Sequence, residues 1–182
     1  MRIISGKFGG RKLVSFKADH IRPTTDRVKE VIFNKLQSDI VDAAVLDLFS
    51  GTGNLAFESV SRGARVVHAV EKNPRSVAII KQNLALFDIS REEFEICPYD
   101  VFSYLKRDPG LKFDIVLIDP PFTEVLADKA MEAMGDFVGL QPHVKIFIES
   151  GKKEHLQNQY KALKMTQQKD YGDKKLSIFQ IG

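Results

Sequence analysis

From residue 44 onward, short apolar runs alternate with stretches of helical period. Val45–Phe49, Val66–Val70, Phe94–Cys97, Phe113–Ile118 and Val144–Glu149 each predict a strand, apolar enough to be buried on both faces. Between them lie Asn54–Arg62, a short helix stopped by Gly63, and a longer helix opened by Asn73-Pro74 with Val77, Ile80, Leu84 and Phe87 along one stripe. Shorter helices are expected over Val101–Lys106, around Val125–Met134 and near Lys153–Asn158. Ahead of the first strand, Val28, Val31, Ile32 and Leu36 keep helical spacing to about residue 38. Tyr160–Gln168 and Leu176–Ile181 flank Tyr171-Gly172-Asp173 and predict a closing antiparallel hairpin. Residues 1–20 carry Ile3-Ile4, Phe8 and Leu13-Val14-Ser15-Phe16 between glycines, which reads as a short hairpin rather than a core element. Strands alternating with helices predict an α/β, doubly wound, mostly parallel sheet covered on both faces, formed by residues 1–182 as one domain.

Composition changes this picture little. Hydrophobic residues at 43% and charged residues at 28% suit an ordinary soluble domain of 182 residues. No apolar run approaches the roughly 20 residues that span a bilayer, and the N-terminus lacks the apolar centre of a secretory signal. A cytoplasmic protein with no membrane partner is expected. Cys97 is the single cysteine, so no internal disulfide forms, and its apolar setting predicts a buried structural thiol. His20, His68, His143 and His155 show no ligand spacing to Cys97 or to each other, and no metal site is expected.

The net charge of +3 is mild, but its distribution is uneven. Arg2, Lys7, Arg11, Lys12, Lys17 and Arg22 crowd the N-terminal segment. Such a cluster is a candidate footprint for a polyanion.

Acids mark the carboxyl ends of consecutive predicted strands: Asp47, Glu71, Asp100 and Asp119. In a doubly wound sheet those ends border the ligand crevice. Ser50-Gly51-Thr52-Gly53 would let a ligand approach the backbone closely. With Asn54 and Ala56 it also satisfies the dinucleotide pattern G-x-G-x-x-A, and Glu71 lies about 20 residues on, where a ribose-binding acid belongs. The loop alone therefore leaves a nicotinamide enzyme open.

Asp119-Pro120-Pro121-Phe122 tips the balance. The prolines cannot continue a central strand, and they stiffen a corner holding a carboxylate, carbonyl oxygens and a flat ring. That corner suits a planar group bearing an NH2. Beside it, Asp47 suits a positive amine, Glu71 a ribose and Asp100 an adenine amino group, the parts of S-adenosylmethionine. Each acid has a competing structural role: Asp47 and Asp100 could equally cap the turns that follow them.

The chain resembles the RsmD family, bacterial methyltransferases that modify guanine N2 in 16S ribosomal RNA. The resemblance rests on Arg2-Ile3-Ile4-Ser5-Gly6-Lys7 with Gly10-Arg11-Lys12-Leu13, and on Arg22-Pro23-Thr24-Thr25-Asp26-Arg27-Val28-Lys29-Glu30. It continues through Asp47–Gly53, Ser61-Arg62-Gly63-Ala64, Asp119–Phe122 and Tyr171-Gly172-Asp173. Ala56, where the family usually places glycine, and Asn54 are departures confined to the loop.

The resemblance implies a seven-stranded Rossmann-like methyltransferase fold with a basic RNA-binding extension at residues 1–22. It implies a guanine turned out of its stack, with S-adenosylmethionine as methyl donor and S-adenosylhomocysteine as product. Asp119, Pro120 and Phe122 are the catalytic candidates. Asp47, Ser50, Gly51, Thr52, Gly53, Asn54, Glu71, Lys72, Asp100 and Val101 are the cofactor candidates. Arg2, Lys7, Arg11, Lys12, Arg22, Thr25 and Arg27 are the RNA candidates. The expected partner is ribosomal RNA, naked or in an assembling or assembled small subunit, met by a monomer. An N6-adenine or N4-cytosine DNA methyltransferase and a non-catalytic RNA-binding assembly factor are the rival readings.

Overall fold

The computed structural model describes residues 1–16, 26–121 and 124–182. Its centre is one sheet in the order β3-β2-β1-β4-β5-β8-β7-β6. Strands β1 (Ala44–Leu48), β2 (Val66–Val70), β3 (Phe94–Cys97), β4 (Phe113–Ile118) and β5 (Leu140–Gly151) run parallel. The chain then turns back: β8 (Lys174–Ile181) pairs antiparallel with β5, and β7 (Leu163–Tyr171) with β8. The two-residue β6 (Gln159–Tyr160) closes that edge.

Alternation along the strands divides the core into two layers. Val45, Val67, Ala69, Phe94, Ile115 and Leu117 face one layer with α1 (Asp26–Leu36), α2 (Asn54–Ser61) and α3 (Pro74–Phe87). Ala44, Leu46, Leu48, Val70, Val116 and Ile118 face the other, with α4 (Val101–Tyr104) and α5 (Ala127–Met134). Strands buried on both faces explain why they read as continuous apolar runs. Asn73 caps α3 by accepting from the Arg75 N–H at 2.9 Å, and Pro74 follows at the first helical position.

Three expectations change. Residues 1–13 fold back on themselves as expected, through the antiparallel bridge of Arg2 with Lys12 and the bonds from the Ile3 N–H to the Arg11 carbonyl at 2.9 Å and from the Leu13 N–H to the Met1 carbonyl at 3.2 Å, but they belong to the core: Ile3 is fully buried and Leu13 nearly so. The helix expected near Lys153–Asn158 is absent. There Glu154 takes the Gly151 N–H at 2.7 Å and the Ala127 N–H at 3.3 Å, and the Tyr160 hydroxyl accepts from the Gln157 N–H at 2.8 Å. A segment this short gains little from helix nucleation once side chains satisfy its backbone. The first arm of the terminal hairpin is split into β6 and β7 by a turn in which Lys161 takes φ +53°. This adds a strand to the expected seven without changing the class of fold.

Candidate active site

Asp47, Glu71, Asp100 and Asp119 all lie at the carboxyl-end edge of the parallel strands, where the topology places the crevice. Asp47, on β1, is 1% exposed. Its Oδ2 accepts from Ser50 Oγ at 2.8 Å and from the Ala56 N–H at 3.0 Å. Burial pushes its carboxyl up to about 7, with the negative charges of Asp119 and Glu71 adding to the effect; the bonds from Ser50 and Ala56 oppose it. The donor from residue 56 is a backbone N–H, so alanine in place of glycine leaves it intact.

Glu71 follows β2 and ties two loops together. Its Oε2 accepts from the Gly51 N–H at 2.8 Å and its Oε1 from the Asn73 N–H at 2.7 Å. Each carboxylate oxygen retains capacity for a further donor, so hydroxyl groups can join these bonds. Asp100 divides its two oxygens. Oδ1 caps α4 through the Phe102 and Ser103 N–H groups at 3.0 and 3.3 Å, and Oδ2 faces Lys72 Nζ at 3.7 Å. Val101 is buried beneath that cap. Capping therefore occupies one oxygen and leaves the other toward Lys72.

The glycine loop differs from residue to residue. A Cβ built on Gly51, at φ +57°, meets no atom within 4 Å, so the backbone there borders open space. One on Gly53 would meet the Phe57 ring at 2.7 Å. Phe57 cannot yield: it is fully buried and stacks on Phe94 with ring centroids 5.0 Å apart. Core packing thus pins the loop, and the room lies at Gly51. Three acids able to accept from an ammonium, hydroxyls or an amino group, beside a cradle open at Gly51, fit the chemistry of S-adenosylmethionine.

Two cofactor candidates also bond within the chain. The Thr52 hydroxyl contacts Met1 Sδ at 3.8 Å. Asn54 Oδ1 accepts from the buried Lys29 Nζ at 3.0 Å, which ties this end of the loop to α1. Lys29 also bonds the Arg2 carbonyl at 2.6 Å and pairs with the fully buried Glu58 at 3.2 Å. Glu58 in turn accepts from the Ile4 and Ser5 N–H groups at 2.7 and 3.1 Å. A buried ammonium needs such acceptors, and burial lowers the Lys29 value. This network fastens the N-terminal segment beside the loop.

At the end of β4, Asp119 is mostly covered, with its side chain 18% exposed. Pro120 is buried, and the Pro121 carbonyl accepts the Glu124 N–H at 3.2 Å, so that oxygen is engaged within its own turn. Phe122, Arg22 and Thr25 lie outside the described residues. Lys174, the first residue of β8, reads from sequence as an RNA contact or a hairpin decoration; the sequence does not place its Nζ where it lies, 2.8 Å from Glu149 Oε2 and 4.0 Å from Asp119 Oδ1. Its place beside Tyr171-Gly172-Asp173 was the available signal.

The basic candidates are more scattered than their crowding suggested. Arg2 pairs with Asp26 at 3.2 Å, near the loop. Lys7 reaches Glu93 at 2.8 Å, and Arg11 reaches the Leu86 carbonyl at 3.1 Å and lies 4.2 Å from the Phe87 ring centroid. Those partners end α3 and precede β3, which puts them at the amino-end side of the sheet. Arg27 and Lys12 are exposed. Away from the crevice, parallel pairing brings His68, Glu95 and Cys97 within 4.8 Å of one another. Their partners are internal: His68 Nδ1 bonds Tyr104 at 3.1 Å and Nε2 faces Glu95 at 3.2 Å. Burial pushes the Cys97 thiol up to about 12, which keeps it protonated.

Comparison with known proteins agrees with this architecture. The model of the family described as conserved hypothetical protein 95 matches residues 1–180. Ribosomal RNA small subunit methyltransferase D of Haemophilus influenzae is 36% identical over 157 residues, covering 86% of this chain and 81% of that protein. The protein of the same name from Escherichia coli is 35% identical over 150 residues, covering 82% and 74%. A solved Escherichia coli structure superposes with a TM-score of 0.87 at 31% identity, over 100% of this chain and 97% of that one. The chain belongs to the conserved hypothetical protein 95 family and is an S-adenosylmethionine-dependent methyltransferase.

Proposed function

We propose that this methyltransferase acts on the exocyclic N2 of a guanine in small-subunit ribosomal RNA, as a single-domain cytoplasmic protein meeting an RNA or ribonucleoprotein substrate. The observation that supports the reading is Asp119: a carboxylate that directly follows Ile118 of β4, whose partner in the sheet is Leu48 of β1, and so beside the Ser50–Gly53 loop that follows β1. The relatives named above act, by their names, on the RNA of the small ribosomal subunit.

Guanine N2 is a weak nucleophile because its lone pair is delocalised into the ring. Asp119 accepts an amine hydrogen, which turns the lone pair out of conjugation and stabilises positive charge growing on nitrogen. When bound, S-adenosylmethionine supplies an electrophilic methyl group on a sulfonium sulfur. Asp47 answers the ammonium of its amino-acid tail, Glu71 its ribose hydroxyls, and Asp100 its adenine amino group. Once methylated, the nitrogen gives its proton to Asp119 or to water. Holding both partners in one crevice supplies much of the remaining acceleration.

The test is transfer of label from methyl-tritiated S-adenosylmethionine into naked 16S RNA, isolated small subunits or DNA, with the product nucleoside identified by mass spectrometry. N2-methylguanine from either RNA substrate supports the reading. Label on adenine N6 or cytosine N4 of DNA overturns it.

A further inference from the structure

The β7–β8 turn brings its tip to the carboxyl end of β5, where Lys174 pairs across from Gly151. That end of the sheet gathers acids: Asp119 after β4, Glu149 on β5, Asp47 on β1, and Glu71 beyond it. Glu149 is 1% exposed and the Lys174 side chain 6% exposed. A lysine buried this deeply within a sheet loses chain entropy and hydration, which a surface salt bridge would not repay. Its ammonium lies 2.8 Å from Glu149 and 4.0 Å from Asp119, so one cation faces two carboxylates.

We propose that Lys174 is a positioning residue for methyl transfer: its ammonium, shared between Glu149 and Asp119, holds Asp119 ionised and aimed at the substrate amine. The inference rests on Asp119 acting as the hydrogen acceptor. Without the Lys174 ammonium, Asp119 keeps Asp47 and Glu149 as acidic neighbours in a poorly hydrated corner, and like charges there favour the protonated acid. A protonated Asp119 offers a donor where an acceptor is needed. Glu149 keeps the ammonium from swinging into the crevice, where it would compete with the substrate amine. The hairpin tip thus becomes part of the reaction centre rather than only the edge of the sheet.

The test compares pH profiles of kcat for the wild type, Lys174→Met, Lys174→Arg and Glu149→Gln, alongside calorimetric affinity for S-adenosylmethionine and thermal melting. Lys174→Met moves the acid limb of kcat to higher pH by about 1–3 units and lowers kcat about 10-fold or more on that limb. Its affinity for S-adenosylmethionine stays within about twofold, because the lysine answers the acceptor side of the site. Lys174→Arg restores the limb. Glu149→Gln frees the ammonium for Asp119 and moves the limb the other way. Should Lys174→Met not fold, Lys174→Gln carries the same measurement. Unmoved limbs in the lysine and glutamate variants, with changes in melting alone, overturn the proposal and leave a structural ion pair. Wild-type label on guanine N2 with an unmoved limb overturns this inference only; label on another atom overturns the reading beneath it.

Discussion

The two halves of the crevice are built differently. On the β1–β3 side, Asp47, Glu71 and Asp100 each accept from backbone N–H groups of their own or adjoining loops. On the β4–β8 side, Asp119 faces a side-chain ammonium delivered from the far end of the chain. Backbone donors are fixed by the fold and hold a binding surface in shape before any ligand arrives. A lysine is a mobile point charge and sets the charge state of what it faces. The difference suits the division of labour proposed above, in which the first half would hold the cofactor and the second would set the reaction.

Asp119→Ala is the most severe way to challenge that division. Turnover should fall by about 10²–10³ or more, the scale of losing one preorganised electrostatic partner. Calorimetric affinity for S-adenosylmethionine should stay close to that of the wild type. If affinity falls together with kcat, the halves are not separable and Asp119 belongs to the cofactor side.

Glu71→Ala probes the other half and should give the opposite split. Two backbone N–H groups lose their acceptor, and the ribose loses its own. Charge-assisted bonds of this kind contribute about 1.5–3 kcal/mol each, so affinity for S-adenosylmethionine should drop about 10- to 100-fold. At saturating cofactor kcat should recover to near the wild-type value. A kcat that stays low would place Glu71 in the chemical step.

Asp47 gives a sharper and gentler test, because its carboxyl is pushed from 3.8 up to about 7. Between those values the folded chain holds a proton that the unfolded chain has released. The group's contribution to stability is therefore full below 3.8 and is lost as pH rises through about 7. An arriving ammonium favours the ionised form, so cofactor binding at about pH 6 should release up to about one proton, and almost none at about pH 8.5. Calorimetry in buffers of different ionisation enthalpy measures this directly. Asp47→Asn should abolish the release, and its melting temperature should rise relative to the wild type as pH increases through that window.

This contrast also explains how far the sequence could be read. Asp47 with Ser50, and Asp100 with Phe102 and Ser103 in the first turn of α4, are partners a few positions apart, and such capping chemistry shows in a single sequence. The alternating strands and helices were legible for the same reason: each element declares its own period. Lys174 with Asp119, Lys29 with Asn54 and Glu58, and His68 with Cys97 are joined only by sheet order and helix docking. No local pattern announces them. The place of Asn54 in a glycine loop suggests a ligand, and its bond to Lys29 in the preceding helix could not be read beside it. The N-terminal segment was misread because its glycines and charges masked Ile3 and Leu13, which pack into the core.

That segment supplies the smallest expected effect and a last check on how substrate meets the two halves. The basic residues looked like one patch in the sequence, yet Lys7 and Arg11 are held against the end of α3 and the start of β3. Arg2 instead lies by Asp26, and Lys12 is bridged to Arg2. Only the second pair sits near the loop side of the sheet. The Lys7–Glu93 pair is largely exposed, at 47% and 37%, so breaking it changes stability by about 1 kcal/mol at most. If the RNA backbone approaches the crevice across the N-terminal segment, Lys12→Ala should reduce the salt slope of RNA binding by about 0.7, as loss of one single-strand phosphate contact does. Lys7→Ala, at the opposite end of the sheet, should leave the slope unchanged. Equal slopes for the two variants would mean that RNA wraps past the amino ends of the strands, well beyond the crevice and both of its halves.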